Sequence, residues 1–255
     1  CSGTSNGLAA GYGTDDAALR AMLELVERDA FMASWRTRRG GQRVEVDEDW
    51  DPDLAAVIRG IGRLGGEARV TLLPSACGFP VVVCLAFGDG AAWPGVTLGL
   101  GADPDARAAI RQAVLELGQT GPYLRRLMRE GAAVPAGPQD VREMMDHAAY
   151  YFDPSRAVAF DYLWDGADRR AWRHLPTGPS RSLEGCVAAM SKAGIRMALA
   201  DVTSADLAMT PFRVVRAVSP DLQPISFGAG LERASIRRIA AQAVRLPADY
   251  VSPIW

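Results

Sequence analysis

The chain has 255 residues, of which 49% are hydrophobic and 23% are charged, and its formal net charge is -2. This composition predicts a globular protein with a sizeable core and excludes a disordered chain. The near balance of charge gives no electrostatic basis for binding nucleic acid. No apolar run is long enough to span a bilayer, so we expect neither nucleic acid nor membrane as a partner.

The four cysteines are widely spaced and lie far from both histidines, so no zinc site is expected. Sparse cysteines and the lack of a signal peptide are typical of a cytoplasmic protein. The chain begins with Cys1 rather than methionine. An N-terminal nucleophile is one interpretation; the simpler one is a chain whose earlier part is missing.

Segments with helical periodicity alternate with short apolar runs along the first half of the chain. Helices are predicted over 14–35, 54–64 and 105–119, and strands over 68–73, 80–87 and 95–103. The strand over 80–87 is apolar throughout, which predicts burial on both of its faces. Pro122 should break or kink the third helix.

The second half repeats part of this order. Helices are predicted over 140–152 and 183–193, and strands over 195–202 and 212–218. Gly65 to Pro80 spans 15 positions and Gly194 to Pro211 spans 17, each linking a helix end to a second strand. We therefore predict two helix–strand–strand pseudo-repeats, over about 54–87 and 183–218, within an α+β fold of helices packed on mixed sheets.

Three carboxylates share one side of the first helix. At about 100° per residue, Asp16, Glu24 and Glu27 lie with Arg20 within an arc of roughly 80°. One interpretation is a solvated face with pairs four residues apart, Asp16–Arg20 and Arg20–Glu24. The other is a magnesium-nucleotide site, because Mg²⁺ binds carboxylate oxygens and takes further oxygens from phosphates and water. The glycines before the helix would let backbone approach a ligand closely, and no P-loop motif is present.

The segment TSNGLAAG…DAALRAMLELVERDAF resembles the core motif of the YcaO-domain family, ATP-using enzymes that act on peptide amides. The matching positions are Asn6, Asp16, Glu24, Glu27 and Arg28. The resemblance implies that all five contribute to ATP binding. It also implies that Asp16, Glu24 and Glu27 hold magnesium, although the family usually has Glu where this chain has Asp16.

Three further segments extend the resemblance over nearly the whole chain. GADPDARAAIRQAVLELGQT resembles a second family block, which adds Glu116 and Gln119 to the implied ATP site. VVRAVSPDLQPISFG resembles the C-terminal block. MMDHAAYYFDP is similar to the azoline-forming branch, although we interpret His147 within it as an ordinary helix-surface histidine.

The resemblance implies a YcaO-like domain over 1–255 and a cytoplasmic, ATP-dependent cyclodehydratase. Such an enzyme converts Cys, Ser or Thr of a ribosomal precursor peptide to thiazoline or oxazoline by phosphorylating the backbone amide oxygen, with ATP and Mg²⁺. It also implies a leader-peptide-binding partner protein and allows a homodimer. No individual catalytic residue is assigned.

Two alternatives remain open. The same amide activation could form a thioamide or an amidine, or the chain could be a degenerate, non-catalytic scaffold that binds a peptide or partner. Family members carry an earlier segment with another Ser and ExxER block that completes the nucleotide site. Nothing before Cys1 supplies that block, so we expect the N-terminal part of the domain to be missing.

Overall fold

The chain forms two β-sheets with helices between and outside them. A computed structural model describes residues 4–46, 49–164, 169–171, 174–228 and 236–253. The strands are β1 Leu8–Tyr12, β2 Gln42–Glu45, β3 Glu67–Leu73, β4 Val81–Phe87, β5 Val96–Ala102, β6 Arg169–Ala171, β7 Ala198–Asp201 and β8 Phe212–Val218. The helices are α1 Gly13–Thr37, α2 Pro52–Arg63, α3 Ala106–Arg129, α4 Met144–Tyr150, α5 Leu183–Lys192 and α6 Arg237–Ala240.

The larger sheet has the strand order β5-β4-β3-β2-β6 and the smaller one the order β1-β8-β7. Strands β2 and β6 run parallel, whereas the other neighbours in both sheets are antiparallel. The larger sheet is therefore mixed, and the predicted α+β fold with helices on mixed sheets is confirmed.

The two faces of β4 contribute to two separate hydrophobic clusters. Val81, Val83 and Leu85 pack with α1 in one cluster. Val82 and Cys84 pack with α2 and α3 in the other. Burial on both faces of this strand is thus as predicted. Helix α1 also contacts β1 and β8 and so lies between the two sheets.

Glycines let α3 pack directly against β5. A Cβ added at Gly99 would fall closer than 3.0 Å to the carbonyl oxygen of Ala113, and one at Gly101 would meet that of Ala109 in the same way. Only glycine permits this approach of helix backbone to strand backbone. The approach brings Glu116 of α3 within reach of the β5 backbone.

Some elements differ from the sequence prediction. Helix α3 continues through Pro122 to Arg129, because Gly121 packs against Trp93 and Leu124 is buried, which outweighs the lost hydrogen bond. The helix predicted over 140–152 is only the short α4, preceded by a 3₁₀ turn. Strands β1, β2 and β6 and a 3₁₀ segment over 154–163 were not predicted from the sequence.

The two predicted pseudo-repeats share their element order and strand pairing. In each, a helix (α2 or α5) precedes two antiparallel neighbouring strands, β3–β4 and β7–β8. The helices differ in packing, since α2 contacts α3 and β3 whereas α5 contacts α1. That the two units are structural repeats of one another stays a prediction.

Buried polar and thiol groups complete the fold. Cys77, Cys84 and Cys186 are buried free thiols, whereas Cys1 lies outside the described residues. His147 is only 1% exposed, so its interpretation as a surface histidine was wrong. Among the described residues, no helix combines the length and apolar character that a membrane crossing requires.

Candidate nucleotide site

Asp16 closes the first turn of α1. Its Oδ2 accepts a hydrogen bond from the amide of Tyr12 at 2.9 Å, and its Oδ1 forms a 3.0 Å ion pair with Arg20 Nε. Burial works to raise the pKa of Asp16, but the Tyr12 and Arg20 hydrogen bonds outweigh it and lower the pKa. The predicted Asp16–Arg20 pair is therefore formed. Asp16 precedes Glu24 by about 12 Å along the helix axis.

Glu24 and Glu27 lie on either side of Arg28. Their side chains are 22%, 13% and 15% exposed respectively, so all three are largely withdrawn from solvent. Arg28 Nε is 3.9 Å from Glu24 Oε1 and 3.7 Å from Glu27 Oε1, too far for hydrogen bonds. This Nε atom is buried and lacks a hydrogen-bond partner among the described residues. The Arg28 guanidinium therefore offsets part of the negative charge of Glu24 and Glu27, and its Nε–H group is left as an unused hydrogen-bond donor.

Burial raises the pKa of Glu24, and the amides of Gly7 and Leu8 act against it, which places the turn that precedes β1 beside this carboxylate. Gly7 has a φ of 71°, and a Cβ there would clash with the carbonyl oxygen of Ala217 in β8. Glycine is thus required for packing the turn against β8. That the glycine-rich lead-in also lets backbone approach a ligand closely stays a prediction.

Glu116 joins this group from α3. It accepts a hydrogen bond from the amide of Leu100 in β5 at 2.5 Å. Its carboxylate also lies near enough to Glu27 to act on that residue's pKa. The close packing of α3 on β5 therefore brings together a cluster of three carboxylates and one guanidinium: Glu24, Glu27, Glu116 and Arg28. We call this set the acidic cluster.

Burial is the main cause of raised pKa values in the acidic cluster. Burial raises the pKa of Glu27 from 4.5 to about 8; Arg28 opposes this, and the neighbouring carboxylates of Glu116 and Glu24 add to it. Burial also raises the pKa values of Glu24 and Glu116, again against the charge of Arg28. One guanidinium does not compensate three partly buried carboxylates, so added positive charge would stabilise their ionised forms.

Asn6 lies in the same turn before β1, next to Gly7. It is buried, and its Nδ2 donates to Thr4 Oγ1 at 2.6 Å and to the carbonyl oxygen of Ile225 at 3.1 Å. Its Oδ1 is buried and has no hydrogen-bond partner among the described residues. Such an unpaired acceptor is costly unless a ligand or water uses it.

Two further side chains concern the candidate site: the implied contact of Gln119 with ATP stays a prediction, and Arg216 was not predicted. Gln119 is exposed one helical turn beyond Glu116, and no hydrogen bond or ion pair joins it to the described cluster residues. Arg216 of β8 was not predicted, yet its charge acts on Glu24. The register that pairs Leu8 with Arg216 explains this position, and it could be found only once β1 was recognised as a strand.

The donors suit magnesium and a nucleotide in their chemistry. Mg²⁺ is usually held by one or two carboxylates while phosphates and water supply the rest, so a complete protein cage is not required. No group of three His, Cys, Asp or Glu side chains converges as a metal site in the part of the chain that is described. Glu24 and Glu27 fit this requirement. Arg28 Nε lies close to both carboxylates and Asn6 directly precedes Gly7; Arg28 Nε and Asn6 Oδ1 are both buried without a partner among the described residues. Asp16 as a metal ligand stays a prediction.

The acidic cluster lies outside two cavities of the described structure. A 370 Å³ cavity lies at the start of α3, between Arg107 and Arg181. A 360 Å³ cavity lies between the end of α1 and the C-terminal segment, beside Trp35 and Tyr250. The acidic cluster is instead a partly exposed surface beside the free edge of β5.

Solved structures resemble the chain in fold. A heterocyclase in complex with substrate and cofactor is 24% identical, with a TM-score of 0.72, and the match covers 87% of this chain and 28% of that one. YcaO from Methanopyrus kandleri bound with AMPPCP and Mg²⁺ is 22% identical, with a TM-score of 0.66, covering 96% and 59%. The E. coli microcin synthetase McbBCD complex is 14% identical, with a TM-score of 0.65, covering 85% and 55%. The chain thus spans between 28% and 59% of these structures.

The sequence itself also matches a protein family. No curated protein matches the chain. A family model described as YcaO cyclodehydratase, ATP- and Mg²⁺-binding, matches residues 1–223. That description agrees with the ATP and magnesium implied by the sequence motifs. The match covers most of the 255 residues, and the chain therefore belongs to the YcaO family.

Proposed function

We propose that this chain is the amide-activating domain of an ATP-dependent cyclodehydratase that acts on a ribosomal precursor peptide. The observation that carries the proposal is the acidic cluster, together with the buried, unpaired Asn6 Oδ1 in the turn before β1. These are the positions at which the chain matches the family's ATP motif. Family membership supports ATP-dependent chemistry, and the heterocyclase folds support azoline formation.

The reaction joins a side chain to the backbone. The thiol or hydroxyl of a Cys, Ser or Thr attacks the carbonyl carbon of the preceding amide and loses its proton. The resulting oxyanion takes the γ-phosphoryl group of ATP, and ADP leaves. The amide nitrogen then loses its proton as the C–O bond breaks and phosphate departs, which leaves a thiazoline or oxazoline. Phosphorylation is needed because an amide oxygen is otherwise a poor leaving group.

The residues of the chain would act by position and charge, which dominate phosphoryl transfer. Glu24 and Glu27 would hold magnesium, and Glu116 would add negative charge while fixing β5 through the Leu100 amide. Asn6 Oδ1 would accept from the nucleotide or a metal-bound water, and Arg28 would pair with phosphate. Bound magnesium would neutralise charge on the triphosphate.

Substrate delivery is the part of the proposal that lies beyond this domain. One structural neighbour is the microcin synthetase McbBCD complex with pro-MccB17 bound. By analogy we propose a precursor peptide as substrate and a leader-peptide-binding protein as partner. The cytoplasmic location and a homodimer stay predictions.

The decisive test combines the full-length protein, ATP, Mg²⁺, a cognate precursor peptide and its leader-binding partner. The peptide should lose the mass of one water for each ring while one ATP is consumed. With an isotopic oxygen label in the backbone carbonyl, the label should appear in the released phosphate. Water loss without ATP consumption, or label found in water, would refute the mechanism.

A non-catalytic scaffold is the second candidate. Two observations favour it. Asp16 forms an ion pair with Arg20, and no three potential metal-ligating side chains lie together among the described residues. A scaffold would bind the peptide but consume no ATP with it. Thioamide formation would consume ATP and replace the amide oxygen by sulfur, which raises the peptide mass. An intramolecular amidine would lose one water just as an azoline does, so it is distinguished by fragmentation that finds an amine, rather than a Cys, Ser or Thr side chain, in the new ring.

A further inference from the structure

His147 joins the C-terminal segment of the chain to the loop after β8. Its Nδ1 lies 2.7 Å from the carbonyl oxygen of Ser252, and its Nε2 lies 3.0 Å from the amide nitrogen of Gly228. A carbonyl can only accept and a backbone amide can only donate. The imidazole is therefore neutral, with its proton on Nδ1, and each ring nitrogen holds a different segment.

The same loop is attached to Asn6 three residues earlier. The carbonyl oxygen of Ile225 accepts the 3.1 Å hydrogen bond from Asn6 Nδ2. Ile225 is buried in the core, and the ring of Phe227 packs edge-to-face on His147 with centroids 5.9 Å apart. The backbone between these two attachment points is short and packed, so a displacement at Gly228 shifts the Ile225 carbonyl.

We propose that His147 is a positioning residue that sets the orientation of the Asn6 side chain through residues 225–228. The inference rests on the proposed function, in which Asn6 Oδ1 accepts from the nucleotide or a metal-bound water. Asn6 Nδ2 has two described acceptors, Thr4 Oγ1 and the Ile225 carbonyl, and they determine which way Oδ1 points. Losing the Ile225 acceptor lets the amide group rotate.

Two tyrosines of the same segment provide matched controls. Tyr150 donates its hydroxyl proton to the carbonyl of Asp249 at 2.7 Å, and Tyr151 donates to that of Val251. Both hydroxyl bonds go to the C-terminal segment rather than to the loop after β8. A Tyr150→Phe variant therefore weakens attachment of the C-terminal segment and leaves the Gly228 bond in place.

Two substitutions of His147 separate its two hydrogen bonds. In His147→Asn the side-chain amide nitrogen lies near the position of Nδ1, so the Ser252 bond is kept and Gly228 loses its acceptor. In His147→Gln the amide oxygen lies near the position of Nε2, so the Gly228 bond is kept and the Ser252 bond is lost. Each variant leaves one buried backbone group unpaired, so their losses of folding stability should be similar.

The first readout is Mg²⁺-dependent binding of a non-hydrolysable ATP analogue to the full-length protein. His147→Asn should raise Kd roughly threefold to tenfold, whereas His147→Gln and Tyr150→Phe should change it less than about twofold. In a double-mutant cycle, His147→Asn should be non-additive with Asn6→Ala, and His147→Gln additive. Equal effects of the two His147 variants, or additivity in both cycles, would overturn the proposal.

The second readout needs no nucleotide. Asn6 is the one asparagine in these 255 residues, so asparagine-selective labelling of the full-length protein keeps the NMR spectrum simple, and the side-chain amide signal that disappears in Asn6→Ala is that of Asn6. That signal should shift in His147→Asn and stay in His147→Gln and Tyr150→Phe. The His147→Asn variant adds the signal of its introduced asparagine, which is identified in the double variant that also carries Asn6→Ala. An unmoved Asn6 signal refutes the inference.

If the parent protein binds no nucleotide, the proposed function fails, and the NMR signal still decides the role of His147.

Discussion

Glu27 is withdrawn from solvent between Arg28 and Glu116. Because its pKa is raised from 4.5 to about 8, mainly by burial, the folded chain holds this proton more tightly than the unfolded chain does. Folding stability is therefore lost as the pH rises from 4.5 towards 8. Burying such a carboxyl group is typical of a functional site that trades stability for ligand binding.

A Glu27→Gln variant should be more stable than the parent at neutral pH in buffer free of Mg²⁺ and nucleotide. Glutamine keeps the volume and removes the ionisable group, so we expect a gain of about 1 kcal/mol, or about 2–4 °C in Tm by thermal denaturation. The gain should shrink as the pH falls towards 4.5. Asp16→Asn is the control and should not stabilise, because the pKa of Asp16 is lowered. A clear loss of Tm in Glu27→Gln would contradict this account.

Helical spacing was enough to predict that Glu24 and Glu27 share a face, since both lie on one regular helix. Periodicity could not reveal that this face is largely withdrawn from solvent, because that depends on β1 and α3 packing beside it. The resemblance added Glu116, which a single helix could never suggest. It also added Gln119, which stays exposed in the structure.

At the scale of single elements, α3 runs through Pro122 without ending. Proline supplies no amide hydrogen for the carbonyl of Gly118, so this turn lacks one helical bond. Packing of Gly121 on Trp93 and of Leu124 in a neighbouring cluster keeps the helix together. The sequence rule for proline was therefore overridden by contacts that are distant in the chain.

Pro122→Ala should stabilise the protein by about 1–2 kcal/mol. The substitution restores the missing amide hydrogen bond, which stabilises the folded state. Alanine also gives the unfolded chain more conformational freedom than proline does, which offsets part of this stabilisation. Chemical denaturation measures the change, with Gln112→Ala at an exposed position of α3 as a control that should be near neutral. A loss of stability in Pro122→Ala would show that the proline ring itself contributes to packing.

A second element-scale contact joins the residues before β7 to the loop after β8. Asp221 accepts from the Arg196 amide at 2.8 Å and from its guanidinium at 2.9 and 2.8 Å. These hydrogen bonds lower the pKa of Asp221 from 3.8 to about 2. A lowered carboxyl pKa contributes stability above pH 3.8 that is lost as the pH falls towards 2.

Asp221→Asn should therefore lower Tm at neutral pH, and its difference from the parent should narrow between about pH 4 and pH 2. Thermal denaturation across this range measures the effect. Arg196→Gln should lose the same pH-dependent part of the stability, because it removes the guanidinium that donates to Asp221. A difference that stays constant over the range would mean that the pair does not set the pKa of Asp221.

The sequence predicted long elements better than short ones. Helix α1 and strands β3, β4 and β5 were found close to their bounds because their apolar patterns are strong. Strand β1 is rich in Ala and Gly and carries little strand propensity. It forms because its amides and carbonyls pair with β8, which is a tertiary effect.

At the scale of the whole molecule, α1 connects every part of the candidate site. Buried Asp29 of α1 accepts from the Gln223 amide at 2.7 Å and pairs with the guanidinium of Arg238. The same helix lies between the two sheets and carries Glu24 and Glu27. The site therefore depends on the relative placement of α1, β1, β5 and α3.

The most direct test of this account is isothermal titration of the full-length protein with a non-hydrolysable ATP analogue in the presence and absence of Mg²⁺. We predict saturable, Mg²⁺-dependent binding that Glu24→Gln and Glu27→Gln each weaken at least about tenfold, which is about 1.4 kcal/mol. Arg20→Gln, on the same helix but exposed, should bind as the parent does. Equal affinity of the parent and both glutamine variants would contradict the assignment of the acidic cluster as the nucleotide site.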